Sequence, residues 1–365
     1  MKLLTAVPVG LIFGLGVLNG TGAYAASVIA WGGGQTNTPS GLLNITAISC
    51  SVDHSLALTS TGTIVAWGAD ADQQCDVPAG LTGIKAVAAG GYFSLALKSD
   101  GTVAAWGDNQ WNQCHVPSGL TGVTAISAGR NHCLALRSDG TVVAWGNNDY
   151  GQCDVPFGLS GVASVVARWN YSLALKSDGT VVAWGADDFG QTDVPVGLAN
   201  VVSVDGCIDY CLAAKSDGSV MAWGNYPSLP GGLSSIIAVA AGEDHSLALT
   251  SGGAVIAWGG NESGQTTVPA SLNNASAIVA GWNYSLALAG SGASPLKMSQ
   301  PSYGAGTFSV SVNSQSGKTY TLQYKNSISD TTWTGLTPVS GDGGALVLTD
   351  NSASGLRRFY RVLQQ

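Results

Sequence analysis

The sequence predicts an all-β protein, a closed seven-bladed β-propeller with mostly three-stranded blades, followed by a small C-terminal β-sandwich. Two repeated motifs and a repeat split between the ends of the array lead to this prediction. Ala-Trp-Gly occurs seven times, and Ser-Leu-Ala-Leu or a close variant occurs seven times in the same phase. Such periodicity is typical of architectures whose units bury their apolar faces against their neighbours. The repeated Trp residues are Trp31, Trp67, Trp106, Trp145, Trp184, Trp223 and Trp258, and the second motif begins at Ser55, Ser94, Cys133, Ser172, Cys211, Ser246 and Ser285.

Each copy contains three short apolar runs that predict one small antiparallel sheet. In the fourth copy they span 163–167, 171–175 and 180–184, and their Val and alternating Leu and Ala are typical of strands. Asp-Gly between the second and third runs predicts a tight hairpin turn. A polar loop ending in Val-Pro, such as 147–156, follows Trp-Gly and ends the sheet.

The two ends of the array are complementary half-repeats. The first run, 28–31, has no preceding hairpin partner, and the last Ser-Leu-Ala-Leu, 285–288, has no following Ala-Trp-Gly. We therefore expect these two runs to pair within one blade and close the ring, which removes exposed strand edges. An open array is the alternative.

Flanking segments complete the predicted domain organisation. Lys2, an apolar stretch and Ala-Tyr-Ala predict a signal peptide over 1–25, with a membrane anchor as the alternative. The propeller is predicted over 26–290, without a membrane span in the mature chain. We expect a monomer that is secreted, periplasmic or located at the cell surface.

After the propeller, a Ser-, Gly- and Pro-rich linker is predicted over 291–301. The segment 302–365 is predicted to be an immunoglobulin-like sandwich, in which Trp333 is a core residue. Its predicted strands are 307–312, 319–324, 345–348 and 358–362.

Composition argues against nucleic acid as a partner. The net charge is −8 and only 10% of residues are charged. Nucleic-acid affinity comes mainly from Lys and Arg on phosphates, so an acidic exported protein does not fit.

The residue types of an enzyme or a metal site do not converge in the sequence. His54, His132 and His245 share a repeat position with Phe93, Tyr171, Tyr210 and Tyr284, so this position is interpreted as packing. His115 is isolated in a loop, and the Asp pairs at 70 and 72 and at 187 and 188 lack the rest of a calcium loop. We expect no catalytic, cofactor-binding or metal-binding residues.

The seven cysteines are an odd number. Cys75, Cys114 and Cys153 share one position of different blades, where Thr stands in other copies, so mutual disulfides are not expected. A bond between Cys114 and Cys133 is conceivable, and the sequence leaves the pairing open.

Strand direction locates a candidate binding face. The loop before Ser-Leu-Ala-Leu and the loop after Trp-Gly should share one end of the sheets, and the non-repeating aromatics are in these loops. Trp, Tyr and Arg dominate protein interfaces, although the same rings could instead pack beneath neighbouring loops. The predicted partner-binding residues are Tyr92, Trp111, Arg130, Tyr150, Trp169, Phe189, Tyr226 and Trp282.

The repeats resemble the regulator-of-chromosome-condensation (RCC1) family, whose blades carry similar Gly-x-x-His-Ser-Leu-Ala-Leu and Trp-Gly motifs. Over about residues 27 to 290 they are more similar to the secreted bacterial β-lactamase-inhibitory propellers, which share Trp-Gly-x-Asn-x-x-Gly-Gln-x-x-Val-Pro and a shortened loop, here 225–230. This resemblance implies a bacterial protein whose aromatic face covers a class A β-lactamase. Asp72, Ser263 and the extra C-terminal segment depart from that pattern.

Three functions of different classes remain. The first is a protein-binding propeller, with class A β-lactamases as candidate partners. The second is a lectin-like module that uses the same aromatics as glycan or cell-surface platforms. The third is a hydrolase or lyase, for which the sequence lacks the necessary carboxylate or His constellation.

Overall fold

Seven three-stranded antiparallel sheets follow one another along the chain, one for each copy of the repeat. The computed structural model describes residues 26–34, 36–40, 42–225, 228–290, 299–304, 307–314, 318–325, 332, 334–341, 345–352 and 359–364. The predicted signal peptide lies outside these residues. Among those described, no helix has the length and hydropathy that a membrane crossing requires. The chain divides into two units, Met1–Ser291 and Gly292–Gln365.

The strands of the first unit reproduce the three runs of each repeat. In the fourth copy they are shifted from the predicted runs by no more than one residue at each end. They are β1 (Ser27–Gly32), β2 (Ile45–Cys50), β3 (His54–Thr59), β4 (Ile64–Gly68), β5 (Ile84–Ala89), β6 (Phe93–Lys98), β7 (Val103–Gly107), β8 (Val123–Ala128), β9 (His132–Arg137), β10 (Val142–Gly146), β11 (Val162–Arg168), β12 (Tyr171–Lys176), β13 (Val181–Gly185), β14 (Val201–Gly206), β15 (Tyr210–Lys215), β16 (Val220–Gly224), β17 (Ile236–Ala241), β18 (His245–Thr250), β19 (Val255–Gly259), β20 (Ala275–Ala280) and β21 (Tyr284–Ala289).

We number the sheets as blades in chain order. Blade 1 contains β2–β4, blade 2 β5–β7, blade 3 β8–β10, blade 4 β11–β13, blade 5 β14–β16, blade 6 β17–β19, and blade 7 β20, β21 and β1. In every blade the Ser-Leu-Ala-Leu strand is central, and almost all its residues are buried. A central strand covered on both faces needs apolar side chains at successive positions, which explains why this motif lacks polar alternation.

Blade 7 combines strands from the two ends of the repeat array. Strand β1 is antiparallel to β21, with Val28 opposite Leu288 and Trp31 opposite Ser285. The predicted pairing of the half-repeats is thus confirmed. Blade 7 also packs against blade 1, because Leu286 and Leu288 share an apolar cluster with Ile48 and Trp67.

Apolar clusters between neighbouring blades form the core of the first unit. Between blades 3 and 4, for example, Leu134 and Leu136 pack with Ala174 and Trp184. Large side chains on one sheet therefore meet small residues and the repeated Trp of the next. This size complementarity allows the sheets to approach closely and fill the space between them.

The repeated indoles also donate hydrogen bonds between blades. The Trp145 Nε1–H of blade 3 donates to the carbonyl oxygen of Gln113, in the loop after β7 of blade 2, at 2.9 Å. Both residues are buried, and the same carbonyl oxygen also accepts from Cys133 Sγ of blade 3 at 3.3 Å, so two donors of blade 3 satisfy it. The same bond joins Trp31 to Gln265, Trp106 to Gln74, Trp184 to Gln152 and Trp223 to Gln191.

The C-terminal unit contains two small sheets. Its strands are β22 (Ser299–Gly304), β23 (Thr307–Asn313), β24 (Thr319–Lys325), β25 (Thr334–Gly335), β26 (Val339–Ser340), β27 (Ala345–Asp350) and β28 (Phe359–Gln364). One sheet has the order β22-β23-β27; in the other, β24 pairs with β25, β26 and β28. Val310, Tyr320, Leu322 and Leu348 belong to one buried cluster. Strand β22 begins inside the predicted linker, and Trp333 lies outside the described residues.

We predict that Trp145→Ala lowers the free energy of unfolding by about 3–5 kcal/mol, because it leaves a cavity between two blades and leaves the buried Gln113 carbonyl oxygen with only the weak Cys133 thiol as a donor. Trp111→Ala is the matched control, since the Trp111 side chain is 44% exposed and should cost less than about 0.5 kcal/mol. Chemical denaturation of both variants measures the difference. Equal losses would contradict the assignment of the repeated Trp to the core.

Candidate functional site

The predicted binding residues lie in loops at one end of the sheets. In blade 4, the N–H of Ala186, after Trp-Gly, donates to the carbonyl oxygen of Asn170, before Ser-Leu-Ala-Leu, at 3.0 Å. The equivalent bond in blade 3 joins Asn147 to Asn131 at 2.8 Å. The two loop types therefore share one end, as predicted. We call this end the upper face and the end with the Asp-Gly hairpins the lower face.

Three consecutive blades present an aromatic side chain at the same position of the upper face. Trp111, Tyr150 and Phe189 are 44%, 53% and 48% exposed. About half of each side chain is therefore accessible to solvent. The corresponding positions of blades 1 and 6 carry the polar residues Asp72 and Ser263, so the aromatic surface covers one sector of the face.

A buried glutamine fixes each aromatic loop. The Trp111 N–H donates to Gln113 Oε1 at 2.8 Å, and Gln113 Nε2 donates to Asp108 Oδ2 at 2.8 Å. Gln152 and Gln191 accept the equivalent bonds from Tyr150 and Phe189. The backbone beneath each exposed ring is thus ordered before any partner binds. The prediction missed these glutamines, although Gln recurs at this position in most copies.

A second group surrounds a central depression on the upper face. The Trp169 and Trp282 rings, from blades 4 and 7, have centroids 5.7 Å apart and planes tilted by 51°. The Arg130 Cζ of blade 3 lies 4.3 Å from the Trp169 ring centroid. The structure thus brings together three predicted residues from separate repeats. The depression is lined by residues 50–52, 128–130, 167–169, 206–208, 241–243 and 280–282.

Trp169 has a φ of 30°, in the left-handed region that disfavours large side chains. Its carbonyl oxygen accepts a hydrogen bond from the Arg130 N–H at 3.2 Å. Backbone strain of this kind is often found at functional sites, where the surrounding contacts maintain it.

An ion pair lies deeper in this region. Asp205 Oδ1 accepts from Arg168 Nε and lies 2.6 Å from Arg168 Nη2, while Asp205 Oδ2 accepts from the Ala241 N–H at 2.9 Å. Burial raises the pKa of the Asp205 carboxyl, and the Arg168 guanidinium acts in the opposite direction. The pair was not predicted. In the sequence, its signal is that Arg168 and Asp205, on neighbouring blades, stand at repeat positions where the other copies carry small or apolar residues.

Glu243 of blade 6 also lines the depression. Burial raises the pKa of its carboxyl to about 7, with further contributions from the Asp244 and Asp209 carboxylates. This part of the depression is therefore acidic and disfavours the approach of a further anion.

The two remaining predicted residues contribute less to the site. Tyr92 is half-buried, and its carbonyl oxygen accepts from the Asp108 N–H at 2.9 Å. Tyr226 lies outside the described residues.

The three repeated histidines join blades, as the packing interpretation predicted. The Ser172 hydroxyl donates to the Gln152 carbonyl oxygen, so His132 Nε2–H donates to Ser172 Oγ at 3.0 Å. His54 and His245 contact Ser94 and Ser285 in the same way. Burial lowers the pKa of His132 to about 3, which keeps this imidazole neutral and enclosed.

All seven cysteines are free thiols. The Sγ atoms of Cys75, Cys114 and Cys153 each donate to a backbone carbonyl oxygen of the same loop, which explains their exchange with Thr. Burial raises the pKa of Cys50, which lines the depression, to about 12. A thiol that stays protonated is a poor nucleophile.

Five segments match the family model of the regulator of chromosome condensation (RCC1) repeat, at residues 45–74, 84–113, 123–152, 162–191 and 236–265. They lie in blades 1, 2, 3, 4 and 6, and each ends at the buried glutamine. The blade with a shortened loop and the blade formed from both chain ends are not matched. No curated protein matches this chain.

Solved structures with similar folds include two structures of yeast RCC1 (Prp20). Prp20p from Saccharomyces cerevisiae has a TM-score of 0.59 and 20% identity, over 74% of this chain and 92% of that chain. Yeast RCC1 (Prp20) bound to Kap60 has a TM-score of 0.62 and 20% identity, over 80% and 94%. Human WBSCR16 has a TM-score of 0.58 and 17% identity, over 74% and 100%. These likenesses show the fold: repeated three-stranded blades in an RCC1-type propeller.

We predict that acid destabilises the protein partly through His132. Its pKa is about 3 in the folded protein and about 6.5 in the unfolded chain, so only the unfolded state gains a proton between these values. The stability contributed above pH 6.5 is lost as the pH falls, by up to about 3 kcal/mol at pH 4.

The substitution His132→Tyr should flatten this pH dependence. A Tyr is expected to fit and reach Ser172, because Tyr210 contacts Ser246 at 2.8 Å in the equivalent position. Urea denaturation between pH 4 and 7 measures the slope, with the exposed loop variant His115→Tyr as control. An unchanged slope in His132→Tyr would contradict the proton exclusion at this site.

Proposed function

We propose that this chain of RCC1-type repeats is an exported, non-catalytic binding protein. Its seven blades close into a ring, and its upper face engages a protein partner. The observation that carries the proposal is the exposure of Trp111, Tyr150 and Phe189 at one position of three consecutive blades. Trp169 and Trp282 extend this aromatic surface to the central depression. Large aromatic side chains bury much area at a low cost in conformational entropy, as binding hot spots require.

Pre-organisation supports the same function. Each exposed ring is attached to backbone that a buried glutamine holds, and that glutamine also accepts the hydrogen bond of the next blade. Little loop ordering remains when a partner binds, so more of the contact energy becomes affinity.

The repeated histidines and the Arg168–Asp205 pair have structural roles. The repeated histidines are enclosed between blades, and the Arg168 guanidinium is paired with Asp205. This distribution supports binding over hydrolase or lyase chemistry.

The solved relatives also favour a protein as the partner. The Prp20p structures describe binding to Gsp1p and histones and a complex with Kap60. These proteins share the fold and about 20% of the sequence, so they support protein binding as a use of this propeller without identifying its partner.

For the partner itself, we propose a class A β-lactamase as the first candidate, on the strength of the repeat motifs and of aromatics at matching positions. A lectin-like role is the second candidate, because three exposed rings on consecutive blades could also stack on sugar rings. Both roles suit an exported protein. The signal peptide over 1–25 is part of this proposal.

The experiment is a titration of the purified mature protein against a panel of class A β-lactamases with a chromogenic substrate, with a pull-down from secreted and periplasmic proteins and a glycan array in parallel. No inhibition at micromolar protein would exclude the inhibitor role. Binding to glycans without capture of a protein would favour the lectin-like role.

We predict that Trp169→Ala weakens partner binding by about 2 kcal/mol or more, roughly 30-fold, because it removes the centre of the aromatic surface. The control is Asp178→Ala in an exposed hairpin of the lower face, which should leave the affinity within error. Calorimetry with the captured partner measures both. Loss of binding in the control alone would show that the partner uses the other face.

A further inference from the structure

We propose that Arg130 is a carboxylate-binding site at the edge of the central depression, and that it pairs with an Asp or Glu side chain of the protein partner. This inference rests on the proposed function and specifies what its partner must present. It concerns the polar chemistry of the surface, which the aromatic residues alone leave undefined.

The Arg130 side chain is already oriented. Its Cζ lies 4.3 Å from the Trp169 ring centroid, so the guanidinium stacks on the ring and its N–H groups remain available for hydrogen bonding. The backbone is held on both sides, because the Arg130 N–H donates to Trp169 and the Arg130 carbonyl oxygen accepts from Gly91, each at 3.2 Å. A pre-organised fork loses less entropy when it binds a carboxylate.

The charge of Arg130 is not neutralised within the part of the chain that the structure describes. Arg168 is paired with Asp205 at 2.6 Å, and Arg137 lies 3.8 Å from Asp139. Arg130 has no carboxylate within ion-pair distance among the described residues. In a chain with a net charge of −8, an unpaired guanidinium beside two Trp rings is a distinctive feature.

Blade 2 contributes no side chain beside Arg130 at the equivalent repeat position. At the position equivalent to Arg130, blade 2 has Gly91, where an added Cβ would lie 2.5 Å from the Arg130 carbonyl oxygen. Only glycine tolerates this approach, so no side chain covers Arg130 from that position. An incoming carboxylate can therefore approach the guanidinium without displacing a blade 2 side chain, while its apolar neighbours contact the Trp rings.

The surrounding charges favour a single carboxylate over other ligands. One guanidinium matches one carboxylate in a bidentate pair. A phosphate-rich ligand would meet Glu243, whose carboxyl is influenced by the Asp209 and Asp244 carboxylates, and the described lining of the depression contains no second unpaired cation. The opposing hypothesis is a cationic ligand, which Glu243 would attract and Arg130 would repel.

The test uses acetylated, amidated dipeptides that differ in one group: Phe-Glu, Phe-Gln and Phe-Lys. Binding to the full mature chain is followed through the ¹⁵N indole resonances of Trp169 and Trp282. Phe-Glu should bind with a dissociation constant in the millimolar range, about fivefold or more below that of Phe-Gln. Arg130→Gln should abolish the preference and Arg130→Lys should retain part of it. Arg137→Gln on the lower face should leave it unchanged.

Equal binding of Phe-Glu and Phe-Gln, or a preference for Phe-Lys that Glu243→Gln removes, would overturn the carboxylate site. Phenyl glucuronide is a fourth probe. If it bound more tightly than Phe-Glu, the carboxylate would belong to an acidic sugar and the protein assignment would be wrong.

The proposed function has a separate readout. If the dipeptide preference depended on Arg130 while no protein was captured, the proposed function would fail and the carboxylate chemistry would stand. If a protein bound the upper face with the same affinity for Arg130→Gln, the inference would fail alone.

Discussion

The contact between a repeated indole and the carbonyl oxygen of a buried glutamine is the interaction on which the array depends. It joins the loop after the third strand of one blade to the third strand of the next, as between Gln113 and Trp145. Both groups are removed from water, so the indole N–H cannot lose its acceptor without a cost of about 1–3 kcal/mol. Repetition of this bond explains why Trp-Gly and Gln keep the same phase along the chain.

The same glutamine connects stability to the proposed binding surface. Its carbonyl oxygen accepts from the next blade, while its side chain accepts from the backbone N–H beneath Trp111, Tyr150 or Phe189. The side chain above that N–H does not take part in the bond, so it can vary from Trp to Asp without loss of the loop structure. A rigid repeat can therefore present a variable surface, which is what a binding propeller requires.

Much of the blade architecture could be predicted, because local patterns determine it. The half-repeats predicted the pairing of 28–31 with 285–288, and the exchange of His with Phe and Tyr predicted packing. Other features depend on the arrangement of distant residues. The contact between Trp169 and Trp282, more than 100 residues apart, arises across the depression, and the pairing of Arg168 with Asp205 needs two blades side by side. No local periodicity encodes such contacts.

Native-state hydrogen exchange of the Trp111 backbone amide tests most directly whether the buried glutamine holds the binding loop. Because this N–H is bonded to Gln113 Oε1, it should exchange about 100-fold or more slowly than an unprotected amide, although the Trp111 side chain is exposed. Gln113→Met should remove the protection at Trp111 and preserve it at Tyr150, whose amide is bonded to Gln152. Exchange of the wild-type Trp111 amide at the unprotected rate would contradict the account.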